Sequence, residues 1–275
     1  MSASTHKLRT VLALVVALHG CASNYGPRLS ECELSHVISE KAPPLVLLID
    51  LEDSVRNATQ SPAEAAGQVL LESAAQIVGS LGLLIVFSPA VIPGVAIAAS
   101  TAESCKLPWD TMAGEAAKWV RSNSTFLEEA VRSTLVHRGL GSVTVITIPT
   151  NNRTTELNKD DEQKLAEISF QLGATTLMTA RIKLIFFAYP QQSKKIGGCG
   201  PTKIYAEALM EAQDRSTVGT PQSLGHVWVW TESNKYEPTD QELADVNPEI
   251  SQVMVQRALD SLAEKITSLY LRCHP

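Results

Sequence analysis

Apolar positions in this chain follow two patterns, and the first of them predicts strands. The run Leu45–Leu51 is short and aliphatic and is followed by acidic residues, which is typical of a buried strand. Between Val227 and Trp230, valines alternate with tryptophans, so the two residue types face opposite sides of a strand. From runs of this kind we predict strands at 45–51, 143–148, 175–189, 203–213 and 225–232.

The second pattern repeats every three to four residues and predicts helices. In the last helix Asn247 is a capping residue, Pro248 occupies the first turn and Glu249 adds a favourable negative charge. We predict helices beginning near 61 and near Asp110, and helices over 127–139, 162–172 and 248–271. Three consecutive strands after βα units predict an α+β (α/β-like) class, with helices packed on a mixed sheet of about five strands.

The segment 76–102 differs from the rest because it carries no charge. Pro89 and Pro93 interrupt its centre, so it cannot form one regular spanning helix. We interpret it as an apolar hairpin of two short helices inserted into the domain. It is either buried or packed between subunits, and the alternative is insertion into a membrane, because so much apolar area is costly to leave in water.

The amino terminus has the pattern of a secretory signal. Lys7 and Arg9 precede an apolar run from Val11 to Leu18 that is too short to span a bilayer. The run ends in the sequence Leu18-His19-Gly20-Cys21, which resembles the lipobox of bacterial lipoproteins. That resemblance implies cleavage of residues 1–20 before Cys21 and acylation of this cysteine, which stably attaches a protein to a membrane. Ala22 after the cysteine implies sorting to the outer membrane.

Residues 21–43 are predicted to be a tether, with Gly26, Pro27, Pro43 and Pro44 among polar neighbours. The remaining residues, 44–275, are predicted to form a single periplasmic domain. Loss of Lys7 and Arg9 with the signal would take the formal charge from −6 to −8. An acidic chain is a poor partner for nucleic acid, because phosphate binding needs a basic surface.

Four cysteines remain after Cys21: Cys32, Cys105, Cys199 and Cys273. An even number in an exported chain predicts disulfides, since the periplasm is oxidising. The four are widely spaced and form no C-x-x-C pair, which argues against a zinc or redox site. No other spacing suits a metal, and no motif calls for a cofactor.

The order of elements resembles the small periplasmic domain shared by the curli secretion lipoprotein, the amino-terminal domain of TolB and the lipoprotein activators of penicillin-binding proteins. The features that carry the resemblance are Val46–Leu51, Leu127–Gly139, Leu172-Gly173-Ala174 before the strand at Leu177, Ala206-Glu207-Ala208, and the last helix. The resemblance implies a role in envelope assembly or export, and the apolar segment departs from it.

This topology also predicts which cysteines pair. If the first three strands are parallel and their crossovers right-handed, Cys32 and Cys273 lie at one end of the sheet. Cys105 and Cys199 then lie at the other end. We therefore predict the disulfides Cys32–Cys273 and Cys105–Cys199.

The sequence contains no catalytic signature. His36, His137, His226 and His274 have no H-E-x-x-H spacing, and there is no G-x-S-x-G or S-x-x-K motif. Trp228 and Trp230 share one face of a strand, which fits packing under the final helix or, less readily, a stacking platform for sugar or peptidoglycan.

The chain is expected to be a non-catalytic outer-membrane lipoprotein, held by lipid on Cys21, that binds envelope proteins or forms homo-oligomers. The alternatives are an envelope hydrolase without a recognisable motif and a subunit of an oligomeric export complex.

Overall fold

The computed structural model describes residues 26–39, 42–51, 55–59, 91–150, 158–188, 199, 202–216, 221–233 and 248–271. Its strands are β1 (Leu45–Asp50), β2 (Val55–Asn57), β3 (Val145–Thr150), β4 (Thr176–Ala188), β5 (Thr202–Asp214) and β6 (Gln222–Glu232). Its helices are α1 (Glu31–Ser39), α2 (Val91–Ser122), α3 (Phe126–His137), α4 (Lys159–Leu172) and α5 (Pro248–Ser268). The signal sequence, Cys21 and Cys273 lie outside the described residues.

The strands form one mixed sheet in the order β3-β1-β4-β5-β6, so the predicted α+β class is confirmed. β1 pairs in parallel with β3 and with β4, whereas β4, β5 and β6 are successive antiparallel neighbours. The short β2 is additional to the predicted strands and pairs with β4 beyond the end of β1. We call the end at which β1, β3 and β4 begin the base of the sheet, and the opposite end its top.

Helices cover one side of the sheet, which we call the covered face. Alternate residues of β4, from Met178 to Ala188, join one core with α2, α3 and α5. Leu262 and Val255 of α5 are completely buried in this core, as is Trp109 of α2. On the other side, the open face, Val46 and Leu48 pack with Leu165 and Ile168 of α4 in a smaller cluster. β1 is therefore buried on both sides, as its unbroken apolar sequence predicts.

The predicted tether is wrong for residues 26–39. Leu29 N donates to His226 O at 2.9 Å, His226 N donates to Pro27 O at 3.0 Å, and Arg28 bridges β6 in parallel. α1 then packs Leu34 and Ile38 into the core of the covered face. The apolar residues of this segment bury more surface against the sheet than a solvated tether would, so residues 26–39 belong to the folded domain. We call Gly26–Leu29 the strap.

Two helix boundaries also differ from prediction. α2 is one helix over Val91–Ser122, so Asp110 lies inside it and does not cap it. Pro93 lies in its first turn, where a missing N–H costs no hydrogen bond, and the helix tolerates Pro108. The second half of the predicted apolar hairpin, from Val91, is therefore the start of one long helix. The first half, residues 76–90, lies outside the described residues. α4 begins earlier than predicted because Asn158 caps it, accepting from Asp161 N at 2.7 Å.

A candidate interaction surface on the open face

The part of the open face formed by β4, β5 and β6 carries four aromatic side chains, which we call the aromatic strip: Phe187, Tyr205, Trp228 and Trp230. Rings of neighbouring strands contact one another. The centroids of Phe187 and Tyr205 are 6.1 Å apart and nearly perpendicular, and those of Tyr205 and Trp230 are 6.4 Å apart. Such cross-strand aromatic pairs stabilise a sheet and fix the positions of their rings.

The two tryptophans of the strip are exposed. Trp228 retains 38% and Trp230 58% of its accessible surface, whereas Val227 and Val229, which alternate with them, are buried in the core of the covered face. The prediction that both tryptophans pack under the final helix is therefore wrong. Period-2 alternation places them on the side opposite α5, where none of the described helices covers them. One side chain of α5 reaches the strip, with Lys265 Nζ 5.9 Å from the centroid of Trp230.

Charged side chains accompany the strip. Lys203 Nζ donates to Glu232 Oε2 at 2.9 Å across β5 and β6, and lies 6.0 Å from the Tyr205 centroid. Lys183 and Glu207 stand opposite each other on the same face, one register step further along. The surface is therefore amphipathic, with rigid aromatic area in the middle and charges of both signs around it.

A buried polar network adjoins the strip toward the base. Glu211 is only 3% exposed and accepts a hydrogen bond from Gln213 Nε2 at 3.1 Å, with Arg181 Nη2 at 3.7 Å. Arg215 Nη2 donates to Gln213 Oε1 at 2.7 Å and to Glu162 Oε2 at 2.8 Å, which fastens α4 to β5. Each carboxylate is engaged by cationic or amide donors, so the arrangement is that of a structural network. The sequence signal for it was the spacing of Glu211 and Gln213, which places both polar side chains on the same face of the strand.

The histidines are not brought together. His36 is in α1 and His137 ends α3, while His226 is in β6 with its Nδ1 2.9 Å from Gly26 O. His274 lies outside the described residues. Over the described ranges, no three residues of the types His, Cys, Asp and Glu form a group suited to a metal ion.

The disulfide Cys105–Cys199 is present, with Cα atoms 5.6 Å apart, as the topology predicted. It joins α2 to the segment between β4 and β5 at the top of the sheet. Cys32 is also disulfide-bonded. Because Cys273 is outside the described residues, the pairing Cys32–Cys273 stays a prediction.

No protein-family model and no curated protein matches the chain. Among solved structures, it is similar to the hypothetical protein CT253 from Chlamydia trachomatis, with 9% identity, a TM-score of 0.25, and coverage of 84% of this chain and 99% of that one. It is also similar to a PelC dodecamer from Paraburkholderia phytofirmans, with 12% identity, a TM-score of 0.21, and coverage of 86% and 95%. Similarities this weak establish neither a shared fold nor a shared function. In the part of the chain that the structure describes, no helix has the length and apolarity needed to cross a membrane.

Proposed function

We propose that this protein is a non-catalytic, lipid-anchored module of the outer membrane that faces the periplasm and binds or assembles with other envelope components through the aromatic strip. The observation that carries the proposal is the exposure of Trp228 and Trp230 on a sheet whose opposite face is fully packed. Lipid on Cys21, cleavage of the signal and outer-membrane sorting remain proposals, supported by the amino-terminal sequence.

The energetics of the strip favour a partner. Covering the exposed parts of these two indoles would contribute roughly 2–4 kcal/mol each, at about 25 cal/mol per Å² of apolar surface. Tyr and Trp concentrate at protein interfaces because they offer a large contact area with few rotatable bonds. The strap already pairs with the edge of β6 at His226, so that part of the edge is not free for a partner strand, and the exposed aromatic face is the surface that we assign to binding.

The test is photo-crosslinking in cells that express the full chain. A benzophenone amino acid replaces Trp230 in one variant and Leu107, which is 75% exposed in α2, in the control. We expect an adduct of defined mass from position 230 and none from position 107. The adduct's mass distinguishes a second copy of this chain from another envelope component.

The absence of an adduct at position 230 would overturn the proposal. An envelope hydrolase would instead show one nucleophile labelled by an activity-based probe on the purified protein. Recovery of the full chain in the soluble fraction, with Cys21 unmodified by mass spectrometry, would contradict the lipid anchor.

A further inference from the structure

The base of the sheet carries exposed apolar side chains at the same end as Gly26, the first described residue. Phe170 near the end of α4 is 88% exposed and Leu172 is 40% exposed. Val136, near the end of α3, is 60% exposed. Phe170 and Leu172 belong to the helix on the open face and Val136 to a helix on the covered face, so exposed apolar side chains flank the base of the sheet on both sides. Exposed apolar surface of this kind is unfavourable in water and marks interaction sites.

Backbone hydrogen bonds show that these side chains share one end. α4 closes with Gly173 N donating to Phe170 O at 3.1 Å, and Thr175, just before β4, accepts from Arg215 N at 2.8 Å. α3 is followed by Thr144, whose carbonyl accepts from Leu45 N at 2.8 Å where β1 begins. Both helices therefore end at the base.

The strap reaches the same end. Gly26 lies directly against Ser223, which pairs with Gln213 near the end of β5. The strap runs parallel to β6, so its first residue, Gly26, is the part of the strap nearest the base. β6 is two interstrand spacings from β4, which is about 10 Å.

Cys21 and Gly26 are close together in the sequence. Their five connecting residue steps span at most about 18 Å when fully extended. The strap is also firmly held, because Gly225 has φ +149° and the Leu29 side chain occupies the space that a Cβ at this position would need. A lipid on Cys21 would thus keep the base of the sheet beside the bilayer surface.

From this juxtaposition we propose that the base is a membrane-contacting surface, in which Phe170, Leu172 and Val136 enter the phospholipid headgroup region. This proposal rests on the proposed lipid anchor. Arg28 and Arg138 are exposed at the same end and suit phosphate groups. The proposal orients the molecule, with the top of the sheet and the aromatic strip directed toward the periplasm.

The test uses the full-length lipidated protein in vesicles of phosphatidylethanolamine and phosphatidylglycerol. A polarity-sensitive fluorophore is attached to Phe170→Cys or Val136→Cys, and to Val253→Cys as the control. Val253 is 41% exposed, and its neighbour Met254 contacts Thr202 at the top of the sheet. We expect emission at positions 170 and 136 to shift to shorter wavelength on vesicle binding and to be quenched by nitroxide-labelled lipid, with no change at position 253.

Flotation with the vesicles is scored separately from fluorescence, using Cys21→Ser as the unanchored control. Protein that floats without a shift at 170 and 136, or with a shift at 253, overturns the membrane-contacting base and leaves the anchor intact. Protein that does not float overturns the anchor and this inference with it. A flexible Gly/Ser insertion of about 20 residues before Gly26 should preserve flotation and abolish the shift, since it lengthens the connection by roughly 25 Å.

Discussion

The two faces of the sheet place neighbouring residues in opposite environments, and Phe186 and Phe187 on β4 show this most directly. Phe186 is fully buried beneath the helices of the covered face, whereas Phe187 is partly exposed in the aromatic strip. The covered face is apolar along the whole of β4 and is packed by α1, α2, α3 and α5. The open face mixes aromatic rings with charged pairs and a buried polar network. Stability is therefore concentrated on one side of the sheet, and exposed aromatic and charged side chains on the other.

The largest difference between the faces should appear when these two phenylalanines are shortened. We expect Phe186→Ala to lower the free energy of unfolding by about 3–5 kcal/mol, because it opens a cavity in the main core. Phe187→Ala should cost about 1–2 kcal/mol, because only part of its surface is buried. Urea unfolding of each variant measures its free energy of unfolding. Equal losses of free energy in the two variants would contradict the division of the sheet into two faces.

Removal of the disulfide Cys105–Cys199 should affect the covered layer selectively. The bond closes a long loop, with a sequence separation of 94, and we expect the double variant Cys105→Ser/Cys199→Ser to lose about 2–4 kcal/mol. Hydrogen exchange should accelerate in α2, which the bond fastens to the top of the sheet. Faster exchange in β6 with α2 unchanged would show that the bond supports the open face instead.

The strap can be tested by a glycine substitution at the edge of the sheet. Gly225→Ala introduces a side chain where Leu29 packs and where φ is positive, so we expect a loss of about 1–3 kcal/mol. Gly114→Ala is the matched control, since a Cβ there meets nothing within 4 Å. Helix propensity should make that variant more stable by about 0.5–1 kcal/mol. Thermal unfolding and the exchange rate of the Leu29 amide measure both, and an unchanged Leu29 rate in Gly225→Ala would mean that the strap does not depend on this glycine.

The smallest effect on stability is expected at Trp230. Because this side chain is 58% exposed, Trp230→Ser should change the free energy of unfolding by less than about 1 kcal/mol, while binding of the partner through the strip is lost. Trp109→Ser is the contrasting variant: Trp109 is fully buried and its replacement should cost about 3–5 kcal/mol. A strongly destabilised Trp230→Ser would place this residue in the core and remove the main support for the interaction surface.

Much of the fold could be predicted from local pattern. The predicted strands agree with the observed strands to within three residues, and the final helix begins at Pro248 as predicted. The parallel arrangement of the first three predicted strands gave the Cys105–Cys199 pairing. Each of these predictions depends on periodicity or capping within one segment, or on the handedness of crossovers.

The strap and α1 were missed although a signal for them was present. Ser30 and Glu33 have the spacing of a capping box, and in the structure Ser30 N donates to Glu33 Oε2 at 2.7 Å while Glu33 N donates to Ser30 Oγ at 3.2 Å. The Ser30 N–H and the Ser30 hydroxyl both donate to Glu33 Oε2, and these two bonds hold the pKa of the Glu33 carboxyl below its ordinary value. The pairing of Leu29 with His226 had no such signal, because the partners are nearly 200 residues apart in sequence.

By itself, the sequence determined where strands and helices form and that β6 presents valines on one side and tryptophans on the other. Only the tertiary structure decided which of those sides the final helix covers. Both sides of the strand are apolar enough to be buried, so alternation alone cannot choose between them. The choice depends on contacts distant in sequence: Val229 joins the packed core, and Thr231 Oγ1 donates to Ala258 O of α5 at 3.0 Å. With α5 fixed on that side, the tryptophans remain at the surface.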